Sequence, residues 1–403
     1  MVDKNYDLVV IGGGIIGLAT AMRVTEEFPN IKVAVIEKED QVAMHQTGHN
    51  SGVIHAGIYY APGSQKANFC STGGGLLREF CDKHHIKYDM CGKLIVATDA
   101  EESVRLMNLY ERGIANGAQG LRLIEKEEMI EIEPHSAGLN AIFSPNTGII
   151  DYTEVSNVYA TQMMKSGGDL IKNCKLNSIH EEKGLIYLET SIGTILSKKI
   201  LNCAGLHADQ VAKMMGVDMG IKIIPFRGEY FSLVPEKSNM IRGLIYPVPN
   251  PNLPFLGVHF TRRINGSVEA GPNAVLAFAR EGYKKTNINV RDAFETLTYS
   301  GFWKMSLKYW SVGLKEQYRS IMKNSFVRSL QTLIPEISGD DLYSPGAGVR
   351  AQAVDKKGVL LQDFRIAETK NAIHVLNAPS PGATASLTIS KYIVDLMKKS
   401  FSY

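Results

Sequence analysis

The sequence predicts an α/β protein: a parallel βαβ-type domain starting near the N-terminus, with an α+β domain on a mostly antiparallel sheet interleaved into it. Three observations carry this expectation. Leu8-Val9-Val10-Ile11 is a continuous apolar run, as in a strand buried on both faces, and a glycine cluster and a helical stretch follow at once. Apolar stretches bordered by small residues recur far downstream, at Lys199-Ile200-Leu201-Asn202-Cys203-Ala204-Gly205 and at Ser380-Pro381-Gly382-Ala383-Thr384-Ala385-Ser386 before an apolar helix over 387–397. Between them, residues 92–98 and 228–234 alternate apolar and polar side chains, the pattern of half-exposed antiparallel strands. At 403 residues the chain exceeds the usual size of one hydrophobic core, so two packed domains are expected.

The first unit is Rossmann-like. Gly12, Gly14 and Gly17 supply GxGxxG, a helix is expected over 18–27, and a second strand over 31–36 ends in Glu37. Gly12 permits the tight turn, Gly14 lets backbone approach a pyrophosphate, and Gly17 lets the helix pack close to the strand. Glu37 is placed to accept hydrogen bonds from an adenosine ribose, with Ile16 and Lys38 as neighbouring contacts. Flanking strands and helix make this a dinucleotide site. FAD and NAD share the fingerprint, so it does not choose between them.

Bulk properties exclude other classes. A formal net charge of +3 and the lack of a long Lys/Arg block argue against a nucleic-acid partner. Cys70, Cys81, Cys91, Cys174 and Cys203 are odd in number and scattered, so neither a disulfide framework nor a metal site is expected, and a reducing compartment fits. With a strand expected from near Tyr6, no signal or transit peptide is expected, and no apolar run is long enough to span a bilayer. A cytoplasmic protein is expected, with peripheral contact to the inner membrane's cytoplasmic face as the variant reading.

After Glu37 comes His45-Gln46-Thr47-Gly48-His49-Asn50-Ser51-Gly52-Val53-Ile54-His55-Ala56-Gly57-Ile58-Tyr59-Tyr60. This resembles the second flavin-contacting segment of the D-amino-acid-oxidase (glycine-oxidase-like) superfamily, in the version of the L-2-hydroxyglutarate dehydrogenases. The resemblance continues through Pro225-Phe226-Arg227-Gly228-Glu229-Tyr230-Phe231, Pro254-Phe255-Leu256-Gly257-Val258-His259, Gly271-Pro272-Asn273-Ala274, Gly348-Val349-Arg350-Ala351-Gln352 and Asn377-Ala378-Pro379-Ser380-Pro381-Gly382-Ala383-Thr384. It implies FAD as cofactor, with contacts from Thr47, Gly48, His49, Asn50, Ser51, Gly52, Ala204, Gly205, Gly348, Ser380, Gly382, Ala383 and Thr384. Physical grounds agree: the far C-terminal helix start offers amides to a flavin's pyrimidine edge, which a nicotinamide enzyme does not need. FAD is expected to be held non-covalently, although His49 lies near the place where some relatives attach it.

The implied reaction is oxidation of L-2-hydroxyglutarate to 2-oxoglutarate by hydride transfer from C2 to flavin N5, with electrons passed to a quinone or oxygen. The alternative is an amino-acid, amine or glycerol-3-phosphate oxidoreductase of the same fold. A small dicarboxylate needs a base and two anion sites. His259, in an expected substrate-domain strand, is the first choice for the base, with His55 and His49 as rivals. Arg350 is assigned the C1 carboxylate, because its planar fork donates two parallel hydrogen bonds. Arg227, Arg262 or Arg263 is expected at the distal carboxylate, aided by Tyr230, Tyr246 or Tyr60; Asn377 and Gln352 are further candidates.

The anchor points make the FAD-binding domain discontinuous, at 1–85, 145–215 and 335–403. The substrate-binding domain takes 86–144 and 216–334, with strands at 92–98, 228–234, 256–261 and 267–271. Residues 280–328 read mostly as helix and hold Trp303, Trp310 and a basic excess that includes Lys284, Lys285, Arg291, Lys304, Lys308, Lys315, Arg319, Lys323 and Arg328. The first reading is a solvated helical pair with its aromatics turned to the core; the second is docking on an anionic membrane.

Overall fold

In the computed structural model, which describes residues 4–251 and 256–401, strand Lys4–Ile11 is central to an eight-stranded sheet. Val33–Ile36 lies parallel on one side and Gly193–Asn202 on the other. Asp169–Ile171 and Ala372–Asn377 extend this parallel core. Leu8 and Val10 pack with the helices Ile15–Glu27, Tyr152–Lys165 and Ser386–Phe401, whereas Val9 and Ile11 pack with Ile186, Leu188 and Val211 on the opposite face. Burial on both faces is why the run is continuously apolar.

A second sheet of nine strands carries the α+β part. Its order is Val275–Leu276, Ile221–Leu233, Val268–Gly271, His259–Arg262, Leu244–Pro247, Lys93–Ala97, Asn140–Ser144 and Arg122–Glu125, with Leu342–Asp355 added on Ile221–Leu233. All pairings are antiparallel except Leu244–Pro247 with Lys93–Ala97. Leu342–Asp355, expected with the first domain, runs along Ile221–Leu233 from Leu342↔Leu233 to Asp355↔Ile221. Its backbone hydrogen bonds therefore tie it to the second sheet, and the chain rejoins the first sheet at Arg365–Glu368 and Ala372–Asn377.

Two local expectations change. Strand Lys93–Ala97 is buried at every position instead of alternating with solvent. Ile95 and Ala97 meet Leu106 and Leu109 of the helix Ala100–Ala115, while Leu94 and Val96 meet Phe326 and Leu330. Both sheet faces are covered, so the polar residue of the pattern, Lys93, is enclosed as well. Residues 280–328 do contain helices, at Val290–Leu297, Ser300–Ile321 and Lys323–Gln331. Their tryptophans, however, are not turned inward: Trp303 is 53% and Trp310 65% exposed, and Phe302 and Met305 face the core in their place. Pro254 and Phe255 lie outside the described residues.

Candidate active site and cofactor cradle

A cavity of about 1680 Å³ is lined by residues of both sheets. At one end are Gly12, Gly14, Ile16, Gly17, Glu37 and Lys38; along it lie Thr47, His49, Asn50, Ser51, Ala204, Gly205, Gly348, Ser380, Gly382, Ala383 and Thr384. The turn that opens this wall has no room for side chains. Gly12 has φ +110°, and a Cβ there would lie 2.5 Å from the Cys203 carbonyl oxygen; one on Gly17 would lie 2.2 Å from the Gly12 oxygen. Ile15 N–H donates to Thr47 Oγ1 at 3.1 Å, joining the helix start to the 45–52 loop. Glu37 accepts from Gly13 N–H (2.7 Å) and Glu39 N–H (3.0 Å), which fixes its carboxylate and leaves lone pairs for ribose hydroxyls. The narrow glycine turn, the helix start and the oriented carboxylate fit an adenine dinucleotide.

Gly48 and Gly52 stand behind this wall. A Cβ on Gly48 would lie 2.6 Å from the Ala43 oxygen, and one on Gly52 (φ +66°) 2.7 Å from the Ile150 oxygen. Their contribution is backbone packing of the loop, not cavity surface.

A charged cluster closes the adenosine end. Lys38 Nζ lies 2.7 Å from Glu281 and 2.8 Å from His45 Nε2 and pairs with Glu39, while His207 Nε2 lies 2.9 Å from Glu281. Burial alone would raise the Glu281 carboxyl, but hydrogen bonds from His207 and Lys38 bring it down to about 2. Glu39, His45 and Glu281 are the one set among the described residues whose ligand atoms gather as a metal site requires. The Lys38 ammonium already sits among them. His49 packs at a tilt against Tyr283, with ring centroids 4.3 Å apart and planes 31° from parallel.

The other end of the cavity is faced by the second sheet. His259, Tyr246, Tyr230 and Arg350 all line it, as do His55, Tyr60, Gln352 and Asn377 from the surrounding loops and strands. His259 is 6% exposed, and its Nδ1 lies 2.9 Å from the Gly257 carbonyl oxygen. A carbonyl only accepts, so Nδ1 carries the hydrogen and the Nε2 lone pair is free. Burial holds the His259 imidazole neutral, down to about 3; the Gly257 bond opposes this, and the charges of Arg350 and Lys93 reinforce it. His55 is likewise held down to about 3 by burial, Lys93 and His259, and its Nε2 lies 3.4 Å from Ser380 Oγ. An entering anion carries the opposite charge and raises the proton affinity of both rings.

The arginines offered for a distal carboxylate are engaged elsewhere. Arg227 is buried behind the wall with Glu229, at 3.1 Å from Nε and 3.0 Å from Nη2. Its expected place in the site is thus corrected by a local ion pair two residues away. Arg262 pairs with Asp89, and Arg263 donates to the Asn50 oxygen at 2.6 Å with Glu269 at 3.7 Å. Sequence reasoning missed Lys93 and Glu281. The first was disguised by strand alternation; the second lies some 240 residues from the lysine it meets, with no motif around it.

The match to a family model settles the class. Residues 7–396 match the family described as "FAD dependent oxidoreductase". The chain belongs to this family. Among individual FAD-dependent oxidoreductases, it is 48% identical over 398 residues to an L-2-hydroxyglutarate dehydrogenase of Indibacter alkaliphilus, covering 98% of this chain and 100% of the relative. It is 45% identical over 390 residues to an L-2-hydroxyglutarate dehydrogenase of Escherichia coli, covering 96% and 92%. Among solved structures, an L-α-glycerophosphate oxidase of Mycoplasma pneumoniae with FAD bound superposes with a TM-score of 0.80 at 21% identity, covering 98% of this chain and 95% of that one. A member of this family uses FAD, and the cradle described above fits such a cofactor.

Proposed function

We propose that the protein oxidises L-2-hydroxyglutarate to 2-oxoglutarate. The observation that carries this reading is the placement of a neutral imidazole, His259, and a guanidinium, Arg350, on the wall of the cavity that holds the cofactor cradle. Bound FAD supplies a two-electron acceptor for the hydrogen on C2. Arg350 grips the C1 carboxylate through its planar fork, and His259 Nε2 receives the hydroxyl proton as the carbonyl forms. His55 and Tyr60, linked through Ser380, border the same space. Names of relatives above 40% identity over nearly the whole chain support the substrate assignment. Anaerobic bleaching of the flavin tests it: L-2-hydroxyglutarate reduces the cofactor, whereas the D-enantiomer, glycine, L-proline and glycerol 3-phosphate do so far more slowly. Preferred reduction by one of the latter overturns the reading.

The cofactor domain is proposed to comprise 1–85, 145–215 and the part of 335–403 beyond residue 355. The segment 335–355 then joins 86–144 and 216–334 in the substrate domain.

Electrons are proposed to leave to a membrane quinone, with oxygen as the competing acceptor, from a protein resting peripherally on an anionic membrane. No helix among the described residues is long and apolar enough to cross a membrane. Trp303, Leu307, Trp310, Leu314 and Ile321 form an outward stripe on Ser300–Ile321, each more than half exposed. Residues 280–328 hold ten basic and four acidic side chains. All four of those acids, Glu281, Asp292, Glu295 and Glu316, pair with basic side chains, and Asp292, paired with Arg280, also accepts from the Arg280 backbone N–H. The outer face is therefore cationic as well as apolar, and anionic lipid complements it. Co-sedimentation with phosphatidylserine vesicles that weakens in high salt supports this; a protein left in the supernatant at low salt removes it.

A further inference from the structure

Lys93 is a buried cation with no anion beside it. It is 2% exposed, and no carboxylate among the described residues forms an ion pair with it. Its Nζ lies 4.6 Å from the ring centroid of Tyr59 and 5.2 Å from that of Tyr246. Cation–π contacts of this kind offset only part of the cost of enclosing an ammonium. The free protein therefore holds this charge at a net cost. The titratable groups facing it are Cys70 of the helix Gln65–His84, Tyr59, Tyr246, His55 and His259; none is an acid that is charged near neutrality. Burial brings the ammonium down to about 7.

The location gives the charge a use. Strand register pairs Lys93 with Leu244 and Ile95 with Tyr246, so Lys93 and Tyr246 share one sheet face, the face that also presents His259. Tyr59 and Tyr246 line the cavity, and Lys93 stands directly behind them. The Tyr59 hydroxyl is buried without a hydrogen-bond partner. Arg227, Arg262 and Arg263, three other cations of this region, each face a carboxylate.

We propose that Lys93 is the positioning residue that selects a second carboxylate on the substrate, its charge acting on the cavity through Tyr59 and Tyr246. This rests on the 2-hydroxy-dicarboxylate reading above and adds what distinguishes that substrate from a monocarboxylate. A dianion meets two positive charges, Arg350 at one carboxylate and Lys93 toward the other; a monocarboxylate leaves Lys93 uncompensated. Anion binding also keeps Lys93 protonated, so preference for the dianion is strongest below neutrality and declines as the lysine loses its proton.

The test compares wild-type, Lys93→Met and Lys93→Arg holoenzymes, measuring equilibrium binding of 2-oxoglutarate and of 2-oxobutyrate by calorimetry at pH 6 and pH 8.5. Lys93→Met is expected to weaken 2-oxoglutarate at pH 6 by at least tenfold, about 1.4 kcal/mol, and to leave 2-oxobutyrate within twofold. Its melting temperature should equal or exceed the wild-type value, because an uncompensated buried charge has been removed. Lys93→Arg should keep the dicarboxylate preference and carry it undiminished to pH 8.5. If Lys93→Met loses stability or FAD, or if both ligands weaken alike or neither does, Lys93 belongs to the scaffold and the inference falls. If the wild-type protein itself binds 2-oxoglutarate no tighter than 2-oxobutyrate, the dicarboxylate reading falls with it.

Discussion

The phenol ring of Tyr246 stacks on the imidazole of His259, with centroids 3.8 Å apart and planes 27° from parallel. With Nδ1 tied to the Gly257 oxygen, the stack fixes the ring plane and leaves Nε2 as its free basic atom. Replacing His259 by Ala should slow anaerobic flavin reduction by L-2-hydroxyglutarate by roughly 10²–10⁴-fold, the usual contribution of a positioned base. FAD content should not change, because the cradle lies on other elements. Normal reduction by that variant would take His259 out of the proton transfer.

The same burial has a consequence for stability. Folded His259 titrates at about 3, whereas an unfolded histidine titrates near its ordinary value of 6.5. Between those values the unfolded chain binds a proton that the folded protein refuses. Stability is therefore unaffected above about pH 6.5 and falls as the pH drops from there toward 3. At pH 5 the loss from this residue is at most about 2 kcal/mol. His259→Gln should narrow the difference in melting temperature between pH 7 and pH 5; an unchanged or wider difference contradicts the assignment.

Legibility in the sequence followed the reach of the forces involved. Local rules place Leu8–Ile11 in a buried strand and demand glycine at Gly17, which is crowded by the Gly12 oxygen of its own turn; Gly12 is legible from the motif spacing, although the carbonyl that crowds it belongs to the distant Cys203. The pairing of Leu342–Asp355 with Ile221–Leu233 depends on chain segments more than a hundred residues apart, and nothing near either one announces it. In the site, His259 was chosen for its expected strand and Arg350 for the glycine stretch before it, and both line the cavity. Arg227 looked equivalent to Arg350 by residue type; only three-dimensional placement shows that Glu229 neutralises it. Lys93 was the reverse case, a residue the alternation rule sends to solvent and the second covered sheet face encloses.

Arg350 is placed to bind one carboxylate through two donors, which a lysine cannot reproduce with a single ammonium. Arg350→Lys should thus raise the KM for L-2-hydroxyglutarate by about tenfold or more, the equivalent of 1.4 kcal/mol, with a smaller effect on the limiting rate of flavin reduction. Stopped-flow reduction across substrate concentration separates the two. A fall in limiting rate at unchanged apparent affinity would instead place Arg350 in the transition state alone.

Arg280 anchors the loop that carries Glu281 and Tyr283 over the adenosine end. It is 2% exposed; Nη1 and Nη2 meet the two Asp209 oxygens at 2.6 and 3.0 Å, and Nη2 reaches Glu295 at 3.3 Å. Its own N–H donates to Asp292, and Nη1 also holds the Leu206 carbonyl. Arg280→Met removes the cation but leaves a nearly buried Asp209 without its fork, and breaking a buried pair from one side costs about 3–5 kcal/mol. Arg280→Lys keeps the charge and loses the second hydrogen bond, so an intermediate loss is expected. Because Glu281 follows directly in the chain and pairs with Lys38 and His207, the Met variant should also release FAD at a lower denaturant concentration than the wild type does. Urea unfolding followed by tryptophan and flavin fluorescence reads both effects. A Met variant as stable as the wild type would show that the cluster is dispensable for the loop.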